Sequence, residues 1–135
     1  MSGAAAPPVL GKLTKLTRAG RRRRVLDDAV WFDSQAEHRR YCELKILRRI
    51  GEIDTLQVHQ SFALVVEGET ICMFEPDFYY RDVAAGQWVV EDVKSPRTRV
   101  LPEYRIKKRL FEVLYGLPVR ETVVGNRRPR RKRNA

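Results

Sequence analysis

Asp77, Asp92 and Lys94 are the residues whose types and spacing could do chemistry: two acids fifteen residues apart and a lysine two further on. Tyr79 and Tyr80 on one side, and Trp88, Val89 and Val90 on the other, flank the polar, glycine-containing stretch 82–87 and read as two strands joined by a turn. With an even-numbered turn, either Ala84-Ala85 or residues 83–86, Asp82 faces Gln87 and Asp77 faces Asp92. Directly opposed residues point to the same side, roughly 5 Å apart at Cβ, close enough for two carboxylates to share one divalent cation. Strand alternation puts Lys94 on that side too, roughly 7 Å along from Asp92. A turn one residue shorter or longer sets Asp77 against Glu91 or Val93 instead, so the register decides whether the three meet.

Paired acids with a lysine suit hydrolysis of a phosphodiester. Mg²⁺ takes oxygen ligands, typically one or two carboxylates, a carbonyl and retained waters, and can also bind the scissile phosphate. It then polarises the phosphorus and lowers the pKa of a bound water. A neighbouring ammonium can hold that water in line. The competing reading makes Asp77 a turn cap after Pro76, and Asp92 and Lys94 an exposed cross-face ion pair.

Pro76-Asp77, followed by Asp92-Val93-Lys94 after a hydrophobic strand, resembles the signature of the PD-(D/E)XK nuclease superfamily. The wider order agrees: Phe32-Asp33-Ser34-Gln35-Ala36-Glu37 opens a helix, a strand runs around Gln60, and residues 104–116 form a basic helix before a last strand. That arrangement is similar to small phage and prophage endonucleases related to Holliday-junction resolvases, several of them known only as a domain of unknown function. The likeness covers residues 30–124 and implies a restriction-endonuclease-like core. Carried over position by position, it implies Asp77 and Asp92 as metal acids, Glu37 as the acid from the first helix, the Val93 carbonyl as a further ligand and Lys94 as the catalytic lysine. Glu91 precedes Asp92, so a shifted frame would make Glu91 the ligand; the i, i+2 relation to Lys94 favours Asp92. The cofactor implied is Mg²⁺, with Mn²⁺ as a substitute. The partner implied is duplex or branched DNA, cut by a homodimer as resolvases do.

Glu37 has a structural rival role. Ser34 followed three residues later by Glu37 is a capping box, in which the glutamate reaches back to stabilise the first helical turn. The two roles are compatible if the first turn is angled toward the sheet.

Charge separates the chain into three parts. The formal charge is +10, from 27 Lys and Arg against 17 Asp and Glu over 135 residues. Residues 1–24 carry seven basic residues and no acid, and residues 125–135 carry six and no acid. Without those thirteen, residues 25–124 hold fourteen basic and seventeen acidic side chains, a net of −3. The acids therefore concentrate where cations would bind. Arg21, Arg22, Arg23 and Arg24, and Arg127, Arg128, Arg130, Arg131, Lys132 and Arg133, form like-charge blocks suited to flexible arms that bind phosphates by releasing counterions. Within residues 25–124, Arg97 and Arg99, just past the acids, and Lys107 and Lys108 are the expected phosphate contacts. Such contacts position a substrate without reading its sequence. A non-catalytic nucleic-acid-binding module would use the same arms, and an RNA-associated protein would too, but neither needs the paired acids.

Cys42 and Cys72 fall in a helix pattern and a strand pattern and read as buried thiols rather than a disulfide or zinc site. His38 and His59 have no partner at metal-ligand spacing. No stretch is apolar enough to span a bilayer, and residues 1–11 show no signal-like apolar core. A reducing, cytoplasmic setting is expected, by the resemblance that of a bacterial or phage-infected host cell.

The elements that must position the acids follow from periodicity. A helix runs from Asp33 or Ser34 to Arg49, with Ala36, Tyr41, Leu44, Leu47 and Ile50 as its apolar stripe, and Gly51 ends it. Strands are expected over 56–66, over 70–80 with a bend at Pro76, and over 87–94. A helix from Pro102 to a Gly116 cap presents Ile106, Leu110, Val113 and Leu114 on one face, and a strand covers 119–124. The order α-β-β-β-α-β makes an α/β domain with a mixed four-stranded sheet flanked by helices.

Overall fold

The structure, a computed structural model, describes residues 9–10 and 24–124. In chain order the strands and helices are β1 (Val9–Leu10), β2 (Val25–Asp27), β3 (Val30–Phe32), α1 (Gln35–Arg49), β4 (Ile53–Val58), β5 (Ser61–Val66) and β6 (Glu69–Phe74). Then come β7 (Phe78–Asp82), β8 (Gln87–Lys94), a 3₁₀ turn (Thr98–Val100), α2 (Pro102–Tyr115) and β9 (Val119–Val123). The central sheet has the order β4-β7-β8-β9, antiparallel except for the parallel β8–β9 pair. This is the mixed four-stranded sheet expected, with one helix packed on each face. A second sheet, β1-β5-β6, and the β2–β3 hairpin complete the described residues. No helix among them is long and apolar enough to cross a membrane.

Two of the expected strands are each broken in two. Pro76 has no N–H to give a ladder, so 70–80 does more than bend there: β6 pairs with β5, and β7 leaves to pair with β4 and β8. The stretch 56–66 breaks at His59, whose φ of 54° turns the chain between β4 and β5. Thr55, a β-branched residue at φ 53°, sits at the irregularity in the β4–β7 pairing between Asp54 and Gln57. That is a conformation such side chains rarely adopt. The β5–β6 hairpin turns at Glu67 and Gly68, both at positive φ, as a tight two-residue turn requires.

α1 begins on the expected Ser34–Glu37 pair, with the glutamate reaching one residue past the N-cap amide to that of Asp33. The Ser34 hydroxyl accepts from the Glu37 N–H (3.1 Å), and Glu37 Oε2 accepts from the Asp33 N–H (3.3 Å). Tyr41 and Leu44 are buried and Ala36 and Leu47 pack beside them, with Phe32, Ile53, Phe78, Tyr80 and Val93 on this side of the sheet. Ile50, expected in the stripe, is exposed because it lies beyond the last turn as the C-cap.

α2 starts at Pro102 and ends on Gly116 in the left-handed conformation (φ 66°), as expected. Its packing face is not the expected one. Phe111 is the buried residue and Tyr104, Leu110 and Tyr115 pack around Phe62, Leu64, Phe74, Tyr79, Val90 and Val119, whereas Ile106 and Val113 are 67% and 63% exposed. Aromatic volume decides the rotation of this helix: Phe111 meets Phe62, Phe74 and Tyr115 at centroid distances of 5.2, 5.0 and 4.8 Å. Tyr79 and Tyr80 are buried core residues and Trp88 stacks on Tyr79 at 4.6 Å, which assigns these rings to packing rather than to stacking on bases.

Candidate active site

The β7–β8 hairpin pairs Phe78 with Glu91 and Asp82 with Gln87, leaving the four-residue turn 83–86, one of the two even turns compatible with the sequence. Asp82 holds that turn by accepting from the Ala85 N–H (3.1 Å), and Gly86 takes the positive φ of 63°. One position beyond the last ladder pair, Asp77 meets Asp92. The Asp77 N–H donates to Asp92 Oδ1 (3.0 Å), and Asp77 Oδ2 accepts from the Val93 N–H (2.8 Å). Asp77 is 8% exposed and Asp92 2%. An exposed ion pair between Asp92 and Lys94 is thereby excluded, because the acid is inside.

Glu91 lies on the opposite face, fully buried, and its carboxylate is taken. Arg40 grips it with Nε (2.6 Å to Oε2) and Nη2 (2.9 Å to Oε1), and the Tyr80 hydroxyl donates to Oε1 (2.8 Å). The frame that would make Glu91 the ligand fails on this geometry.

Glu37 reaches the same pocket from the first turn of α1. Its carboxylate, an imidazole nitrogen of His59 and a carboxylate oxygen of Asp77 all lie within 4.8 Å of one another. His59 Nε2 is 3.7 Å from Glu37 Oε2, and the His59 N–H donates to the Asp77 carbonyl (3.0 Å). Glu37 therefore caps its helix and faces the acids at once. His59 has no partner at metal-ligand spacing in the sequence, but the fold supplies two, twenty-two residues before it and eighteen after, where local spacing cannot reveal them. A left-handed non-glycine residue costs of order 1–3 kcal/mol and persists only where its surroundings enforce it. The two carboxylates are oxygen donors of the kind that Mg²⁺ or Mn²⁺ takes, and the imidazole adds a nitrogen donor that suits transition ions better than Mg²⁺. Asp92 adjoins this trio through the Asp77 amide, and Val93 adjoins it through its N–H.

The electrostatics point the same way. Burial raises the Asp77 pKa well above its ordinary value of 3.8, the charges of Glu37 and Asp92 raise it further, and the Val93 N–H and the Lys94 charge only partly oppose them. Negative charge crowded in a dry pocket is compensated by a proton or by a cation. A raised folded-state pKa means that the stability tied to Asp77 is fully present below the unfolded value near 3.8 and is lost as pH rises through the folded one. Asp77→Asn should therefore raise the melting temperature in EDTA, by several degrees for each ~1 kcal/mol relieved. The gain should be largest at alkaline pH and shrink as pH falls toward 4. Thermal melts across pH, with and without Mn²⁺, test this: the cation should stabilise the parent protein and not the variant.

Lys94 stands 4.2 Å over the ring of Tyr104, which brings α2 against the acid face of β8. The Tyr104 hydroxyl donates to Glu121 (3.3 Å), and its pKa is raised by burial first, then by the charges of Asp92 and Glu121 and hydrogen bonding to both. Glu121 is the β9 residue in register with Asp92. Burial resists its ionisation, but Lys108 (2.9 Å), Tyr104 and Arg99 (3.3 Å) outweigh that and hold its pKa below the ordinary value. Tyr104, Glu121 and His59 are the residues that sequence reasoning missed. Tyr104 was visible only as a helix residue and Glu121 only as a strand residue.

Of the expected phosphate contacts, Arg97 and Arg99 are exposed just past β8, and Arg99 leans on Glu121. Lys107 pairs with Glu103 (3.1 Å) and Lys108 with Glu121, so these lysines are half-buried and acid-bound rather than a freely solvated face. Arg99, Arg105, Lys108 and Arg109 line an open groove of about 1150 Å³ together with Glu121 and the exposed side chains of Val100 and Ile106. Arg24 lies over Trp31 (5.2 Å) with its Nε 3.7 Å from Asp33. Arg21, Arg22, Arg23, Arg127, Arg128, Arg130, Arg131, Lys132 and Arg133 lie outside the described residues, as do most of the expected arm over 1–24 and all of the tail over 125–135.

Fold and pocket define an α/β domain that gathers carboxylates and an imidazole at the open end of a sheet hairpin. A family model described as "Protein of unknown function (DUF1064)" matches residues 18–125, most of the chain, and the chain belongs to that family. No curated protein and no solved structure matches it.

Proposed function

We propose that this chain is a metal-dependent endonuclease that hydrolyses DNA phosphodiester bonds, a member of the PD-(D/E)XK superfamily serving phage recombination or DNA processing. The observation that carries the reading is the burial of Asp77 beside Asp92, Glu37 and His59, a pocket whose acids repel one another unless a cation joins them. Asp77, Glu37 and His59 would hold the ion, with Asp92 and the Val93 carbonyl completing its surroundings. The carboxylate oxygens suit Mn²⁺ as they suit Mg²⁺, which makes Mn²⁺ the expected substitute. When bound, the ion supplies Lewis-acid polarisation of the scissile phosphate and a water of lowered pKa.

The chain's own residues do the rest. The Val93 N–H fixes one Asp77 oxygen, so the carboxylate does not have to reorganise when substrate arrives. Lys94, whose ammonium is steadied by the Tyr104 ring, orients the attacking water toward phosphorus opposite the leaving oxygen. The basic groove along α2, and the arms where they reach the duplex, hold the backbone by charge. A dimer cutting paired strands belongs to the same proposal and rests on the family resemblance.

The test is a cleavage assay with Mg²⁺ or Mn²⁺ on linear duplex, single-stranded, flap and four-way substrates. The parent protein should cut at least one of them, EDTA should stop it, and Lys94→Ala should slow it by about 10²-fold, the lower range for a positioned proton-handling side chain. Binding without cleavage in every lane would favour a non-catalytic nucleic-acid-binding module.

A further inference from the structure

His38 and Cys42 stand one helical turn apart on α1, and Asp27 of β2 faces them both. His38 Nε2 lies 2.9 Å from Asp27 Oδ2 and 3.6 Å from Cys42 Sγ, and the three ligand atoms fall within 4.8 Å of one another. All three residues are half-exposed, where α1 meets β2, and none takes part in the nuclease chemistry proposed above. The imidazole is held in place by the Phe32 ring, 5.6 Å away.

An imidazole, a thiolate and a carboxylate are the donors of a borderline-soft ion, not of Mg²⁺. Zinc bonds of about 2.0–2.3 Å in a tetrahedron set neighbouring donor atoms roughly 3.3–3.8 Å apart. The His38–Cys42 separation already meets that spacing, and the Asp27–His38 hydrogen bond has to open by only about half an ångström on the same geometry. We propose that Asp27, His38 and Cys42 form a second cation site, which takes Zn²⁺ with a solvent water in the fourth position. Lys45 Nζ is the local competitor, 3.5 Å from Asp27 Oδ2 but 3.0 Å from Asp28 Oδ2, so the ammonium can stay on Asp28 when Asp27 turns to the ion. Loading ties the β2–β3 hairpin to α1 beside Glu37, and therefore stiffens the helix turn that supplies the other pocket. Cys42 and Cys72, expected to be buried thiols, are both free and only half-buried, and a zinc site at Cys42 departs from the expectation that neither belongs to one.

Co²⁺ titration of the full chain under reducing conditions separates this site from the acid pocket. A near-ultraviolet thiolate-to-cobalt charge-transfer band should saturate at one equivalent and be displaced by Zn²⁺. It should vanish in Cys42→Ser and persist in Cys72→Ser and in Asp77→Asn, since a carboxylate and imidazole pocket gives no such band. In an Asp77→Asn background, which removes the acid pocket, Zn²⁺ should still raise the melting temperature by several degrees, and adding His38→Gln should abolish that rise. No band, a band that survives Cys42→Ser, or one lost in Cys72→Ser would overturn the assignment.

Discussion

Asp92→Ala and Asp77→Ala should each lower DNA cleavage by about 10³-fold or more while leaving DNA binding within a few-fold of the parent at matched salt. The size follows from what the acids do. Charge stabilisation by a bound ion amounts to several kcal/mol at the transition state, and each 1.36 kcal/mol is tenfold in rate. The selectivity follows from where the positive charge lies: thirteen basic residues fall outside 25–124, and the groove arginines sit on the 3₁₀ turn and α2 rather than on the strands that carry Asp77 and Asp92. Removing an acid cannot weaken a polyanion's hold on them. The two variants should also differ from one another in stability. Asp77→Ala removes the acceptor of the Val93 N–H, and Asp92→Ala removes the acceptor of the Asp77 N–H, so each leaves a different buried donor unmet. Side-by-side single-turnover cleavage and filter-binding measurements would establish the split; equal loss of both would mean that the acids serve the fold alone.

Arg40→Ala should destabilise the protein by about 3–5 kcal/mol, the usual consequence of stranding one member of a buried ion pair. Glu91 has no exposed surface and receives the arginine through two hydrogen bonds and Tyr80 through a third. Burial and that contact lift the Tyr80 phenol to about 12, and Arg40 itself is held firmly protonated by Glu91. Pairing removal with Glu91→Leu in an Arg40→Met background should recover most of the loss, because two apolar side chains leave no charge uncompensated. Urea unfolding of the single and double variants measures this. Glu91→Gln, in turn, should still bind Mn²⁺ at the acid pocket, which distinguishes its place in the fold from that of Asp92.

What the sequence made legible was short-range. The capping box and the Gly116 cap are set by a few neighbouring residues, whereas the parity of the 83–86 turn stays open in the sequence and only the ladder fixes the register that brings Asp77 to Asp92. The broken strands were less visible, because alternation continues across His59 and Pro76 although the hydrogen-bond partners change there. The face of α2 was misread for a different reason: aliphatic spacing pointed to Ile106 and Val113, while the tertiary cavity was shaped for Phe111. His59, from the turn between β4 and β5, and Glu121, from β9, join their sites from distant parts of the chain, so only the folded topology shows their company. That Arg99 and Lys108 share an acid, Glu121, shows only in the fold, because it stands twenty-two and thirteen residues after them.

Anomalous diffraction from a crystal soaked in Mn²⁺ tests the central claim most directly. A manganese peak within bonding distance of the Asp77 carboxylate, shared with Glu37 and His59 and absent in Asp77→Asn, is the predicted result. Manganese bound elsewhere on the chain, with the pocket between these side chains empty at saturating ion, would contradict it.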